Sequence, residues 1–202
     1  MRSTGVAYES LAVKFGLYVV HGNVSAGKGT LSKALLRVLP GAVHYCSDDI
    51  RVELSGDIGG PSSGVASDGT HFDVFSTLDG RVNAARAAGK TVIADSTGMS
   101  AAFVASVNAW RKEWNDVVVI RVFCDDAAWK RREEARQDRW TVRDGERVQS
   151  SMPDRVYYAS LDSRFAEPAD VEIDTSALSP AQVFDAVIAQ CEAIWAKRRQ
   201  GE

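Results

Sequence analysis

The 202-residue chain is poor in the residues that usually mark a covalent or metal-built scaffold. Its three cysteines, Cys46, Cys124 and Cys191, are odd in number and widely spaced. That pattern excludes a disulfide framework and a zinc site, and the expected compartment is a reducing cytoplasm. Histidine is equally scarce. His21 reads as a satisfied strand residue, and His44 and His71 carry no context. No apolar run approaches the roughly 20 residues that a membrane span requires. The amino-terminal stretch MRSTGVAYES lacks the apolar segment of a secretory signal, so no membrane partner is expected. A formal charge of −3 removes any global attraction to nucleic acid and leaves only local basic patches. Repeats and low-complexity tracts are missing too, which leaves one globular domain over residues 1–202.

What is present is an alternation of two periods. Short apolar, β-branched runs recur at 15–21, 42–46, 91–94, 117–123 and 171–173. Between them lie stretches with helical spacing at 29–38, 72–88, 101–114, 127–136 and 180–199. Strand and helix in succession predict a five-stranded parallel sheet covered on both faces, a three-layer α/β/α fold. Ligands of such sheets bind outside the carboxyl ends of the strands. The Gly-, Ser- and Asp-rich segment 56–69 reads as a mobile surface loop, or as the hinge of an acceptor-binding flap.

At the end of the first predicted strand stands VVHGNVSAGKGT, in which Gly22, Gly27 and Lys28 have the spacing of a Walker A loop. Glycines let successive backbone amides curl around phosphate oxygens, and the following helix contributes its positive end. Lys28 supplies a mobile cation for the β- and γ-phosphates. Gly22, Asn23, Val24, Ser25, Ala26, Gly27, Lys28, Gly29 and Thr30 are therefore the candidate nucleotide-binding residues, with ATP as the expected donor. The usual Ser or Thr directly after the lysine is replaced by Gly29, and Thr30 follows one residue later. The G-K-G-T ending is similar to that of adenylate kinases, where magnesium is held largely through water. Few direct protein ligands are expected for Mg²⁺, with Thr30 as one candidate.

Phosphoryl transfer to an alcohol needs a carboxylate near the attacking oxygen. Two strand ends supply acids, YCSDDIR with Asp48, Asp49 and Arg51, and TVIADSTGM with Asp95 and Thr97. Ser47 or one of the paired aspartates is expected to cap the helix that follows. Arg51, three residues after Asp48, shares its helical face.

Taken together, the loop, S-D-D-x-R and D-S-T resemble small P-loop kinases related to 5′-hydroxyl polynucleotide kinases. That group includes chloramphenicol phosphotransferase-like enzymes and kinases of hydroxymethylated bases in phage DNA. The resemblance runs from about residue 17 to 174. It implies a P-loop NTPase fold, with Asp48 as general base and Arg51 orienting the acceptor. It places Asp95 as a magnesium-managing or acceptor-contacting acid and Thr97 beside the acceptor, although D-S-T-G departs from the commoner D-x-T-N. It also favours a nucleic-acid acceptor, a 5′-hydroxyl or a hydroxylated base. The acidic, small chain suits a nucleoside or other metabolite equally, and a nucleotide-switch ATPase is the rival from another class.

The segment WKRREEARQDRWTVRDGER holds seven basic and five acidic residues. It reads as an arginine-rich helical lid over about 129–163, in which Arg132 and Arg136 share a face and reach the γ-phosphate. Trp129 and Trp140 flank it and read as packed side chains or, less readily, as base-stacking ones. Tyr157 and Tyr158 read as helix packing.

Overall fold

A computed structural model describes residues 15–56, 61–65, 69–98, 100–135, 140–143, 146–149 and 168–201. Along these the chain runs β1 (Leu17–Gly22), α1 (Lys28–Val38), β2 (Val43–Cys46), α2 (Ser47–Ser55), β3 (Ser63–Val65), β4 (His71–Asp73) and α3 (Val74–Ala87). It continues through β5 (Val92–Ser96), α4 (Ala101–Glu113), β6 (Val117–Phe123), α5 (Asp126–Glu134), β7 (Trp140–Arg143), β8 (Glu146–Gln149), β9 (Val171–Asp174) and α6 (Pro180–Gln200).

Five of these strands form a parallel sheet in the order β2-β5-β1-β6-β9. Successive side chains of a strand point to opposite faces, so an unbroken apolar run requires cover on both. Tyr18, Val20, Ile93, Val118 and Ile120 meet Leu31 and Leu35 of α1 and Val183 and Val187 of α6. The alternate residues Leu17, Val19, Val92, Val117 and Val119 meet Phe75, Leu78 and Val82 of α3 and Phe103, Val107 and Trp110 of α4. This is the three-layer fold that the alternation predicts. The first crossover matters most for function. From β1 the chain passes over β5 to reach β2, so the carboxyl ends of β1, β5 and β2 lie side by side.

Some boundaries differ from the sequence reading. β5 runs to Ser96, so Asp95 belongs to the strand end. The segment read as a surface loop contains β3, which pairs antiparallel with β4, so the helix expected from 72 begins at Val74. Strands of three residues are too short to show a period. Past Glu134 the basic segment forms a second antiparallel ribbon, β7 with β8, among the described residues. Its signal was the Asp144-Gly145 dipeptide between β-branched residues, a common hairpin pair.

Asp170 ties the layers together at the sheet edge. Its carboxylate accepts from Arg111 of α4 at 2.9 Å, from Arg198 of α6 at 2.9 Å and from the Val119 amide of β6 at 2.7 Å. Replacing one partner of a charged, half-buried network leaves the others without their acceptor. Asp170→Ala should cost about 2–3 kcal/mol in urea unfolding, and a loss under about 0.5 kcal/mol would show the network to be ornamental.

Candidate nucleotide and acceptor site

The loop after β1 is shaped by backbone constraint. Gly22 has φ 143°, and a Cβ there would lie 1.9 Å from the carbonyl oxygen of Val122, so only glycine lets the chain leave β1 this close to β6. Ser25 takes a left-handed φ of 59°, and Gly27, with φ 104°, is the N-cap of α1. Gly27 offers no side chain to the first-turn amides of α1. The contrast with other helices is informative. α3, α4, α5 and α6 are capped by the side chains of Asp73, Ser100, Asp125 and Ser179. Among the described helices, α1 and α2 alone have no side-chain cap, and both begin at the same cavity. The amide end of α1 is available to an anion, while the first turn of α2 carries its own acids, Asp48 and Asp49. Lys28 folds back over the loop, donating to the Asn23 carbonyl at 2.9 Å.

The cavity, about 830 Å³, is lined by Val24 through Leu31 on one side and by Asp48, Asp49, Asp95 and Thr97 on the other. Gly22 and Asn23 shape the loop without lining it. The expected capping of α2 by Ser47, Asp48 or Asp49 is not observed. The N-cap is Cys46, without a side-chain bond. Asp48 is instead engaged by Arg51, whose Nη1 donates to Oδ1 at 2.7 Å, while Nη2 donates to Ser62 at 3.3 Å beside the β3–β4 ribbon. Asp48 and Arg51 thus form one unit, as their spacing implies.

Asp95 is nearly inaccessible, with 4% of its side chain exposed, and its Oδ2 lies 2.6 Å from Nε2 of His44. Burial alone would raise its carboxyl, but the hydrogen bond and charge from His44, with the Cys46 thiol, hold it below the usual carboxylate range. Burial and the adjoining Asp95 push the Cys46 thiol up, so it remains protonated. His44 is a residue that sequence reasoning missed. Its signal was strand periodicity, because His44 and Cys46 alternate onto the face to which Asp95 belongs.

The flank of the loop is held by α5. Arg132 donates to the Ser25 carbonyl at 3.2 Å and to Thr175 Oγ1 and O at 2.8 and 2.6 Å. The Ser25 hydroxyl donates to the buried Glu133. Arg132 also lines the cavity, together with Thr175, Leu178, Pro180 and Val183, an apolar end that nothing in the sequence had marked. Trp129 packs against the core. Arg136, Tyr157, Tyr158 and the side chain of Trp140 lie outside the described residues.

For a divalent cation, the described residues include no cluster of three or more His, Cys, Asp or Glu side chains. Three carboxylates, Asp48, Asp49 and Asp95, line the cavity; Asp95 ends the strand next to β1, and Thr30 is an exposed hydroxyl of the loop. That sparse oxygen set fits Mg²⁺, which keeps most of its waters and leans on nucleotide phosphates. No helix among the described residues is long and apolar enough to cross a membrane.

A parallel sheet in this order, with a glycine–lysine loop at its central strand and acids on the neighbouring strand ends, defines a P-loop kinase-like protein. The chain belongs to the chloramphenicol phosphotransferase-like protein family, which it matches over residues 16–192. No curated protein matches it. Among solved structures it is similar to a gluconokinase from Sinorhizobium meliloti 1021, at 14% identity and TM-score 0.58, covering 93% of this chain and 97% of that one. A sugar kinase from Janibacter sp. HTCC2649 gives 15% identity and TM-score 0.59 over 89% and 96% of the two chains. Chaetomium thermophilum Kti12 in complex with ADP-AlF3 gives 17% identity and TM-score 0.52 over 87% and 98%. At these identities the likeness shows the fold.

His21, at the end of β1, is 3% exposed. Burial, then the positive charges of Arg121, Lys28 and Arg111, lower its pKa from 6.5 to about 3. It is neutral in the fold, which agrees with a packed strand residue. In the unfolded chain it takes up a proton below about 6.5, so its contribution to stability is present above that pH and lost progressively toward about 3. Urea unfolding at pH 7 and pH 5 should therefore show a smaller loss in His21→Asn than in the wild type, whereas equal losses would contradict the assignment.

Proposed function

We propose that this protein is an ATP-dependent phosphotransferase that moves the γ-phosphate to a hydroxyl of a small, uncharged acceptor. The observation that carries the reading is the single cavity joining the amide-rich loop to Asp48 and Asp95. In this reading the chain is one P-loop kinase domain. The triphosphate lies along Gly22–Thr30, and the base lies toward Leu178, Pro180 and Val183. Lys28 leaves the Asn23 carbonyl for the β- and γ-phosphates. Arg51 holds one oxygen of Asp48, so the second accepts the proton of the attacking hydroxyl. Arg132, with Arg136 in a lid over about 129–163, offsets charge at the nucleotide and excludes water. Thr30 and Asp95 would hold Mg²⁺, chiefly through its waters, and the ion would neutralise charge on the phosphates.

The acceptor side favours the small-molecule reading over a polynucleotide. Asp48, Asp49 and Asp95 line it, Arg51 is engaged by Asp48 and His44 by Asp95, and beyond the loop's Lys28 and the flanking Arg132 the cavity has one further basic side chain among the described residues, Lys33. A nucleic-acid track needs unspent basic side chains along the backbone. The family and the sugar-kinase neighbours point the same way.

The test is incubation with γ-labelled ATP and a panel of neutral polyols, nucleosides and 5′-hydroxyl oligonucleotides. Label should enter a small acceptor at a rate nearly flat in salt. Asp48→Asn should lower transfer by about 100-fold or more with ATP uptake retained, and Lys28→Ala should lose uptake as well. Label on the oligonucleotide with a steep fall in salt would return the polynucleotide reading. Free phosphate alone would favour a switch ATPase, and full activity in Asp48→Asn would remove it as base.

A further inference from the structure

We propose that His44 is a positioning residue that fixes the carboxylate of Asp95, holding one oxygen so that the other faces the hydrated metal of the bound nucleotide. The inference rests on the kinase reading above and adds to it a residue outside the Walker A, D-D-x-R and D-S-T motifs.

The geometry follows from strand register. β2 and β5 run parallel with Cys46 opposite Asp95 and His44 opposite Ile93. Period two puts His44, Cys46 and Asp95 on the sheet face that carries Ile93, which packs beneath α1. On its other side β5 pairs with β1, where Asp95 stands opposite Val20, two residues before Gly22. Asp95 is therefore set beside the base of the phosphate loop, and His44 reaches forward along the edge strand to meet it at 2.6 Å. A carboxylate turns about a broad, two-fold final torsion, so packing alone does not choose which oxygen is presented. The ring nitrogen on Oδ2 makes that choice together with the Cys46 thiol on the same carboxylate, and the His44 side chain, 16% exposed, is itself held in the cavity wall. Magnesium demands near-ideal octahedral geometry, so the aim of a carboxylate that meets it through water matters even without direct ligation. Outer groups that orient such carboxylates change metal affinity or activity by about 10–100-fold when removed.

A purely structural role, in which His44 only satisfies a buried acid, makes a different prediction. The experiment compares the full-length wild type with His44→Phe, which keeps a ring without the donor, and His44→Gln, which restores one. ATP affinity is measured by calorimetry in EDTA and in magnesium, alongside Mg²⁺ activation of transfer and the melting temperature. His44→Phe should bind ATP in EDTA like the wild type yet lose about 10–100-fold of the magnesium-dependent gain, and His44→Gln should recover most of it. An unchanged magnesium gain in His44→Phe overturns the proposal, as does a Gln variant that fails with Phe while both lose melting temperature. Should His44→Phe not fold, Asp95→Asn gives the same reading. It should lose the magnesium gain, and adding His44→Ala to it should change nothing further, whereas an added loss overturns the proposal. The EDTA arm separates the two claims. A wild type that takes up no ATP overturns the nucleotide reading and this one with it, while a wild type that binds Mg·ATP but transfers no label overturns only the kinase reading.

Discussion

The site hangs on the closeness of Gly22 to β6. A Cβ at that position would collide with the Val122 carbonyl, so the chain can leave β1 only through a residue free to adopt φ 143°. That departure opens the turn, Ser25 and Gly27 carry it through left-handed conformations, and α1 begins with its amides pointing into a cavity rather than at a capping side chain. An amide cradle of this kind works because its dipoles are fixed before the ligand arrives, so little reorganisation accompanies binding. The core on both sides of the sheet supplies the rigidity, and α5 reinforces it through Arg132 and Glu133 on Ser25.

Three carboxylates beside a site for a polyanion are an electrostatic difficulty, and the structure handles each differently. Asp48 is paired with Arg51, Asp95 with His44, and Asp49 is exposed at the amino terminus of α2, whose dipole favours negative charge. Pairing orients two of the acids while limiting repulsion of the nucleotide. It engages Arg51 and His44, while Lys28, Lys33 and Arg132 also line the cavity.

The layers, the parallel sheet and the loop were legible because they rest on periodicity and on residue spacing. Asp48 and Arg51 were legible for the same reason, since a separation of three on a helix puts them together. His44 was passed over because its partner is 51 residues away and a neighbouring strand brings them together. The apolar wall of Leu178, Pro180 and Val183 had no local mark at all, since it becomes a wall only when β9 lies at the sheet edge beside β6. The capping expectation for α2 failed for an instructive reason. The helix begins at Ser47, so Ser47, Asp48 and Asp49 lie within its first turn and Cys46 holds the cap position.

A crystal structure with a non-hydrolysable ATP analogue and magnesium tests the central claim most directly. The account predicts the β-phosphate within hydrogen-bonding distance of the amides between Gly27 and Thr30, with Lys28 Nζ moved from the Asn23 carbonyl onto phosphate oxygens. A nucleotide bound elsewhere, or a loop whose lysine stays on Asn23 while the phosphates lie outside it, would contradict it.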